Sequence, residues 1–222
     1  MLSLVFSTAL AAGPATLGHQ ATLGLGVADY TEMRLWFTAR EAVFLAEYRY
    51  LGDHGLVLEG EFSTAVGDRT YVGNLVPAWR SDFAGALAIR AGYQHPWFGL
   101  QTGILYWLDP TEKGPQLSGT LWAGHPAFHI WTERNPGWLI GDLTSIQRGV
   151  GIGSTTDLAH VEVGAFASGW GGPVYTFETE GRVRQSDVWI GVRGRYLPVL
   201  DEWGRHETRA LLTARFAPDA VF

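Results

Sequence analysis

The chain has no cysteine, a single lysine (Lys113), and charge on only 17% of its 222 residues. The missing cysteine excludes disulfide staples, thiolate metal sites and a cysteine nucleophile. So little charge is a poor coat for a soluble domain. Long apolar runs are also missing. None approaches the 18 or more residues of a spanning helix, which excludes a helical membrane protein. The net charge is −6, and the fifteen arginines (sixteen basic residues less the one lysine) lie scattered among acids. Nucleic acid is therefore not an expected partner, because no basic stripe faces a row of phosphates.

What remains is rich in strand and turn formers: 13% aromatic residues and 29 glycines. The length suits one large all-β domain. Across the second half, apolar and polar residues alternate with a period of two. In the run from Val188 to Tyr196, Val188, Ile190, Val192 and Tyr196 share one face while Arg193 and Arg195 take the other. Residues 175–183 repeat the scheme, with Glu178, Glu180 and Arg182 opposite Tyr175, Phe177 and Val183. A soluble sheet would solvate its charged face. A closed antiparallel barrel in a membrane would turn that face into its lumen and its apolar face toward lipid.

The pattern predicts strands at 20–28, 32–38, 42–51, 55–66, 70–78, 83–94, 97–108, 117–124, 127–134, 147–155, 158–168, 174–184, 186–196 and 206–216. That makes fourteen, or twelve if two short early segments merge or fall in loops. Many have the 9–11 residues that cross a bilayer at a tilt. From residue 94 the connections alternate tight (His95-Pro96, Gly124 to Pro126, Thr156-Asp157, Gln185) with longer (109–116, 135–146, 169–173, 197–205). Short turns at one rim and long loops at the other suit a membrane barrel. Aromatics gather near strand ends, among them Tyr48, Tyr50, Tyr93, Trp97, Tyr106, Trp107, Trp170, Tyr175, Tyr196 and Trp203, at headgroup depth.

On these features the chain resembles the bacterial outer-membrane β-barrel superfamily over residues 20–216, in architecture and without a family-specific motif. The resemblance implies a closed antiparallel transmembrane β-barrel of 12–14 strands in a bacterial outer membrane, with membrane lipid around it. It also implies a final strand ending in an aromatic residue. Phe222 is terminal and Ala210, Leu212, Ala214 and Phe216 alternate, but Pro218 interrupts the pattern. Residues 1–12 read as a truncated secretion signal, with Ala9-Leu10-Ala11 as the cleavage site but no basic start, or as an apolar N-terminal strand. Residues 13–222 form one barrel domain.

The polar face predicts a lumen lined by Glu47, Arg49, Glu59, Glu61, Arg90, Glu162, Glu178, Glu180, Arg182, Arg193 and Arg195, joined by Gln94 and Gln101. Acids and bases nearly balance, so most should pair, an unpaired charge in a narrow lumen being costly. A wide lumen would be a weakly selective channel for small polar solutes. A narrow one would be a salt-bridged plug in a structural or adhesion barrel.

Other constellations point to less. His125, His129 and Glu133 are spaced by four, but Pro126 and strand surroundings spoil a helical metal face, leaving a turn histidine and two lumen residues. His160 and Glu162 share a strand face in the same way. A lipid-modifying enzyme would need Ser145 or Ser168 with a histidine, and no G-x-S-x-G elbow is present. Gly149, Gly151 and Gly153 lack dinucleotide-loop spacing and read as room beside a neighbouring side chain. No catalytic residue, metal or cofactor is expected. A soluble lipocalin-like carrier is the remaining alternative. The loop 135–146, with Trp138 and Leu139, is the most distinctive connection and folds inward, faces a ligand or hides a short element.

Overall fold

The computed structural model describes residues 18–32, 37–71, 78–108, 115–134, 146–168, 173–184, 186–198 and 205–217. The segment 1–12, Ser145, Trp138, Leu139, Trp170, Trp203, Pro218 and Phe222 lie outside them.

Twelve strands run in chain order: β1 (Gly18–Glu32), β2 (Phe37–Leu51), β3 (Leu56–Tyr71), β4 (Ala78–His95), β5 (Phe98–Trp107), β6 (Gln116–His125), β7 (Phe128–Arg134), β8 (Ile146–Thr155), β9 (Ala159–Ser168), β10 (Pro173–Arg182), β11 (Val188–Leu197) and β12 (Arg205–Phe216). Each pairs antiparallel with its neighbours in sequence, and β1 pairs with β12 to close the barrel. The seam is long, running in register from Ala21 opposite Phe216 to Glu32 opposite Arg205.

Of the twelve to fourteen strands expected, twelve form. Segments 32–38 and 70–78 are not separate strands but straddle the connections from β1 to β2 and from β3 to β4. Both carry aromatic strand formers at the strand ends, Phe37 in the first and Tyr71 in the second, so their composition hides the break. β1 to β4 are 15, 15, 16 and 18 residues long, more than a bilayer crossing needs, whereas β5 to β11 have 7 to 10.

Alternation does what the pleat requires. Along β7, His129, Trp131 and Glu133 are buried while Phe128, Ile130, Thr132 and Arg134 are exposed. Leu23, Leu25, Ile89, Leu100, Ile104, Ile130, Val150, Ile152 and Leu212 form a band of exposed aliphatics on the outer wall. Such an extent of apolar surface requires a lipid environment. At the short-turn rim, Tyr93 and Trp97 stand outward; at the other, Tyr106, Tyr175 and Tyr196 do. Histidines join the short-turn girdle: His95 stacks on Phe98 at 5.1 Å, Trp97 tilts against His125 at 5.4 Å, and His19 contacts Tyr48 and Tyr50.

Candidate functional site: the barrel interior

Among the described residues, inward positions of the strands carry seven buried glutamates (47, 59, 61, 133, 162, 178, 180) and six buried arginines (49, 90, 193, 195, 209, 215). Of the eleven residues expected in the lumen, ten are buried. The exception, Arg182, sits at the β10–β11 turn, where its Nε donates to Ser186 O at 2.8 Å and its guanidinium meets Asp187 at 3.6 Å. Gln94 and Gln101 are also buried.

Two arginines organise the charge. Arg90 on β4 donates through Nε to Ser118 Oγ on β6 (2.7 Å) and through Nη1 to Glu59 on β3 (2.5 Å). Its Nη2 meets Glu61 at 3.3 Å and Glu133, three strands away on β7, at 3.4 Å. Arg193 on β11 donates to Glu47 on β2 at 2.7 Å and contacts Glu178 on β10 at 3.0 Å. β11 and β2 are not neighbours: β12 and β1 lie between them. Both networks therefore reach between strands that share no backbone hydrogen bonds.

Smaller groups complete the belt. Arg49 meets Glu59 at 3.3 Å, and Gln101, with its amide turned to satisfy both, donates to Glu59 at 3.2 Å and accepts from Arg49. Arg215 grips Glu180 at 2.8 Å while its guanidinium lies 4.5 Å over the Trp189 ring. His129 meets Glu162 at 3.1 Å, and His160 lies 3.7 Å from the same carboxylate.

A second material fills the sector from β5 to β9. Cβ atoms built at Gly149, Gly151 and Gly153 would sit 2.3, 2.3 and 2.5 Å from Phe166, Trp131 and His129 respectively. Trp122 likewise lies against Gly99. The β8 glycines are thus the floor on which neighbouring rings rest. Trp131 and Phe166 tilt together at 5.6 Å and join Trp122, Val174, Val43, Leu45, Ala28 and Leu211 in one apolar cluster.

Between Trp131, Glu133, Glu162, Phe166 and Glu178 the interior leaves a pocket of about 10 Å³, at the limit for one water. Thr155 Oγ1 lies 2.8 Å from His160 Nδ1, a hydroxyl–imidazole pair that suggests a nucleophile and base, but Thr155 is 4% exposed and His160 fully buried. His125 is the last residue of β6, and its Nδ1 accepts from Ala127 N in the following turn at 3.1 Å, while His129 and Glu133 are lumen residues bound to Glu162 and Arg90. Among the described residues no three potential ligands gather as a metal site.

Glu133 and His129 are the lumen pair their spacing predicts, whereas Arg209 and Arg215 belong to the belt without having been among the expected lining residues. The signal was present. The outward set Ala210, Leu212, Ala214 and Phe216 on β12 leaves 209 and 215 facing inward, and the four-residue spacing of His129 and Glu133 puts both on one side of β7.

Comparison with solved structures finds this architecture in bacterial outer-membrane β-barrels. The outer membrane phospholipase A of Escherichia coli matches at 10% identity and a TM-score of 0.52, covering 89% of this chain and 90% of that one. The COG4313 outer membrane channel from Pseudomonas putida F1 matches at 10% identity and a TM-score of 0.61, covering 95% of this chain and 99% of that one. No protein-family model matches the chain, and no curated protein matches its sequence. The fold is that of a bacterial outer-membrane β-barrel, and the outward aliphatic band is what that location demands.

Proposed function

We propose that the protein is a closed outer-membrane barrel, non-conducting in this conformation, whose interior is a structural salt-bridged plug and whose working surfaces are its lipid-facing wall and loop rim. The observation that carries this reading is the pair of arginine networks reaching between non-neighbouring strands, Arg193 to Glu47 and Arg90 to Glu133. A solute passing through would have to break charge pairs buried on both sides, which costs several kcal/mol per uncompensated ion.

The charge of the belt favours a second reading, a weakly selective channel for small polar solutes. If Arg90 and Arg193 swung aside, the vacated path would be lined by glutamates. Planar-bilayer recording of the refolded chain separates the two. The closed reading expects a silent membrane from protein whose heat-modifiable gel migration proves it folded. Discrete conductance steps in the unaltered protein, with ion preference shifted by Arg193→Glu and Arg195→Glu, would replace it with the channel.

A further inference from the structure

On the outer wall, Arg134 at the end of β7 stands directly opposite Arg148 near the start of β8, both exposed and both at the long-loop rim. Cross-strand partners lie about 5 Å apart at Cβ, and like charges so placed repel. Among the described residues neither arginine has a hydrogen bond or an ion pair, and the outward neighbours on the adjoining strands β6 and β9 are Leu117, Gly119, Leu121, Ala165 and Ala167, none of them acidic. The interior arginines Arg49, Arg90, Arg193 and Arg215 meet carboxylates; this outward pair meets none among the described residues.

The pair also crowns a groove. About 340 Å³ of space runs down the wall beside it, with Leu100, Leu117 and Leu121 as apolar sides and Thr102 at its edge. Gly119 aligns with Thr102 on one side and Arg134 on the other, so a side chain is missing where the groove passes under the guanidinium. Two adjacent cations above an apolar trough match an amphiphile with an anionic head. A phosphate monoester carries about −1.5 to −2 charge near neutrality and accepts charge-assisted, bidentate hydrogen bonds from guanidinium.

We infer that Arg134 and Arg148 form a binding site for a membrane lipid with a phosphate monoester headgroup, the phosphate bridging the two guanidinia and an acyl chain lying in the groove between Leu117 and Leu121. The site rests on the membrane placement proposed above, but not on whether the lumen conducts. Bridging anion and buried chain together remove the like-charge repulsion and cover exposed apolar wall.

The test is native mass spectrometry of the full chain in detergent, titrated with dioleoylphosphatidate. Diacylglycerol of the same chains serves as the phosphate-free arm, inorganic phosphate as the chain-free arm, and heat-modifiable migration as the control for folding. A single retained phosphatidate is expected, with retention reduced at least about tenfold in Arg134→Gln/Arg148→Gln. Thr102→Trp, which fills the groove and leaves both arginines intact, should also weaken retention. Equal retention of diacylglycerol, an unaffected double variant or an unaffected Thr102→Trp would overturn the site. Displacement of the lipid by equimolar inorganic phosphate would overturn it too, showing an anion site without a lipid. Folded protein that binds no phosphatidate sinks this inference alone, whereas a chain that stays soluble and monomeric without detergent sinks the membrane reading beneath it.

Discussion

The inner wall made by β2 to β4 with β10 to β12 and the wall made by β5 to β9 solve one problem by opposite means. A twelve-stranded barrel is wider than ordinary side chains fill. On the first wall, long arginines extend inward and end on carboxylates of other strands, as Arg193 does on Glu47 and Glu178. On the second, bulky rings turn sideways and lie over glycines, as Phe166 does over Gly149. The first filling is held by charge and fails when one partner is lost. The second is held by shape and fails when a methyl group is added.

The largest test of this contrast removes a hub. Arg193→Ala strands Glu47 and Glu178 in the interior and should lower stability by about 3–5 kcal/mol, read as a shifted urea midpoint for unfolding from lipid vesicles. Replacing Arg193, Glu47 and Glu178 together with leucine should recover most of the loss, because an apolar filling of similar volume is often neutral relative to a buried ion network. A triple variant as unstable as the single one would mean that the arginine acts through something other than its carboxylates.

A smaller effect is expected on the other wall. At Gly149 the nearest atoms to an added Cβ are Phe166 ring atoms, from 2.3 Å. Gly149→Ala should therefore cost about 1–3 kcal/mol by overpacking, and Phe166→Leu in the same chain should return part of it. If the two changes simply add, as substitutions at independent sites do, ring and glycine are not coupled.

The way these walls were legible differs. Faces were readable because side-chain period in a strand is geometric: Glu178 and Glu180 must point away from Tyr175 and Phe177 whatever their partners are. Partners were not readable. Nothing in the spacing of Arg90 and Glu133 says that three strand steps and the barrel's curvature bring them within 3.4 Å. Arg182 alternates correctly yet ends at a turn, because alternation gives direction but not depth. The segments 32–38 and 70–78 misled for a related reason: strands extended to 15–18 residues keep their pattern past the membrane and reach the connection without a change of composition.

The smallest expected effect lies where the two fillings meet. Trp189 is a ring on the charged wall, serving as a platform for Arg215 at 4.5 Å. Trp189→Leu keeps an apolar side chain and leaves the Glu180 pair in place, so the loss should be about 0.5–2 kcal/mol. The same urea titration measures it, and a loss as large as that of Arg193→Ala would show the ring, not the carboxylate, to be the main anchor of Arg215.

The bond between Arg193 and Glu47 has a further meaning in time. Its partners stand 146 residues apart, one strand beyond each side of the seam where β1 meets β12. No hairpin along the chain brings them together; they meet only when the first and last strands have found each other. Loop closure must come before this contact gives anything back, so the bond is a latch that sets after the cylinder is shut. A latch formed so late slows reopening more than it hastens closing, and its strength governs how long β1 and β12, once joined, stay joined.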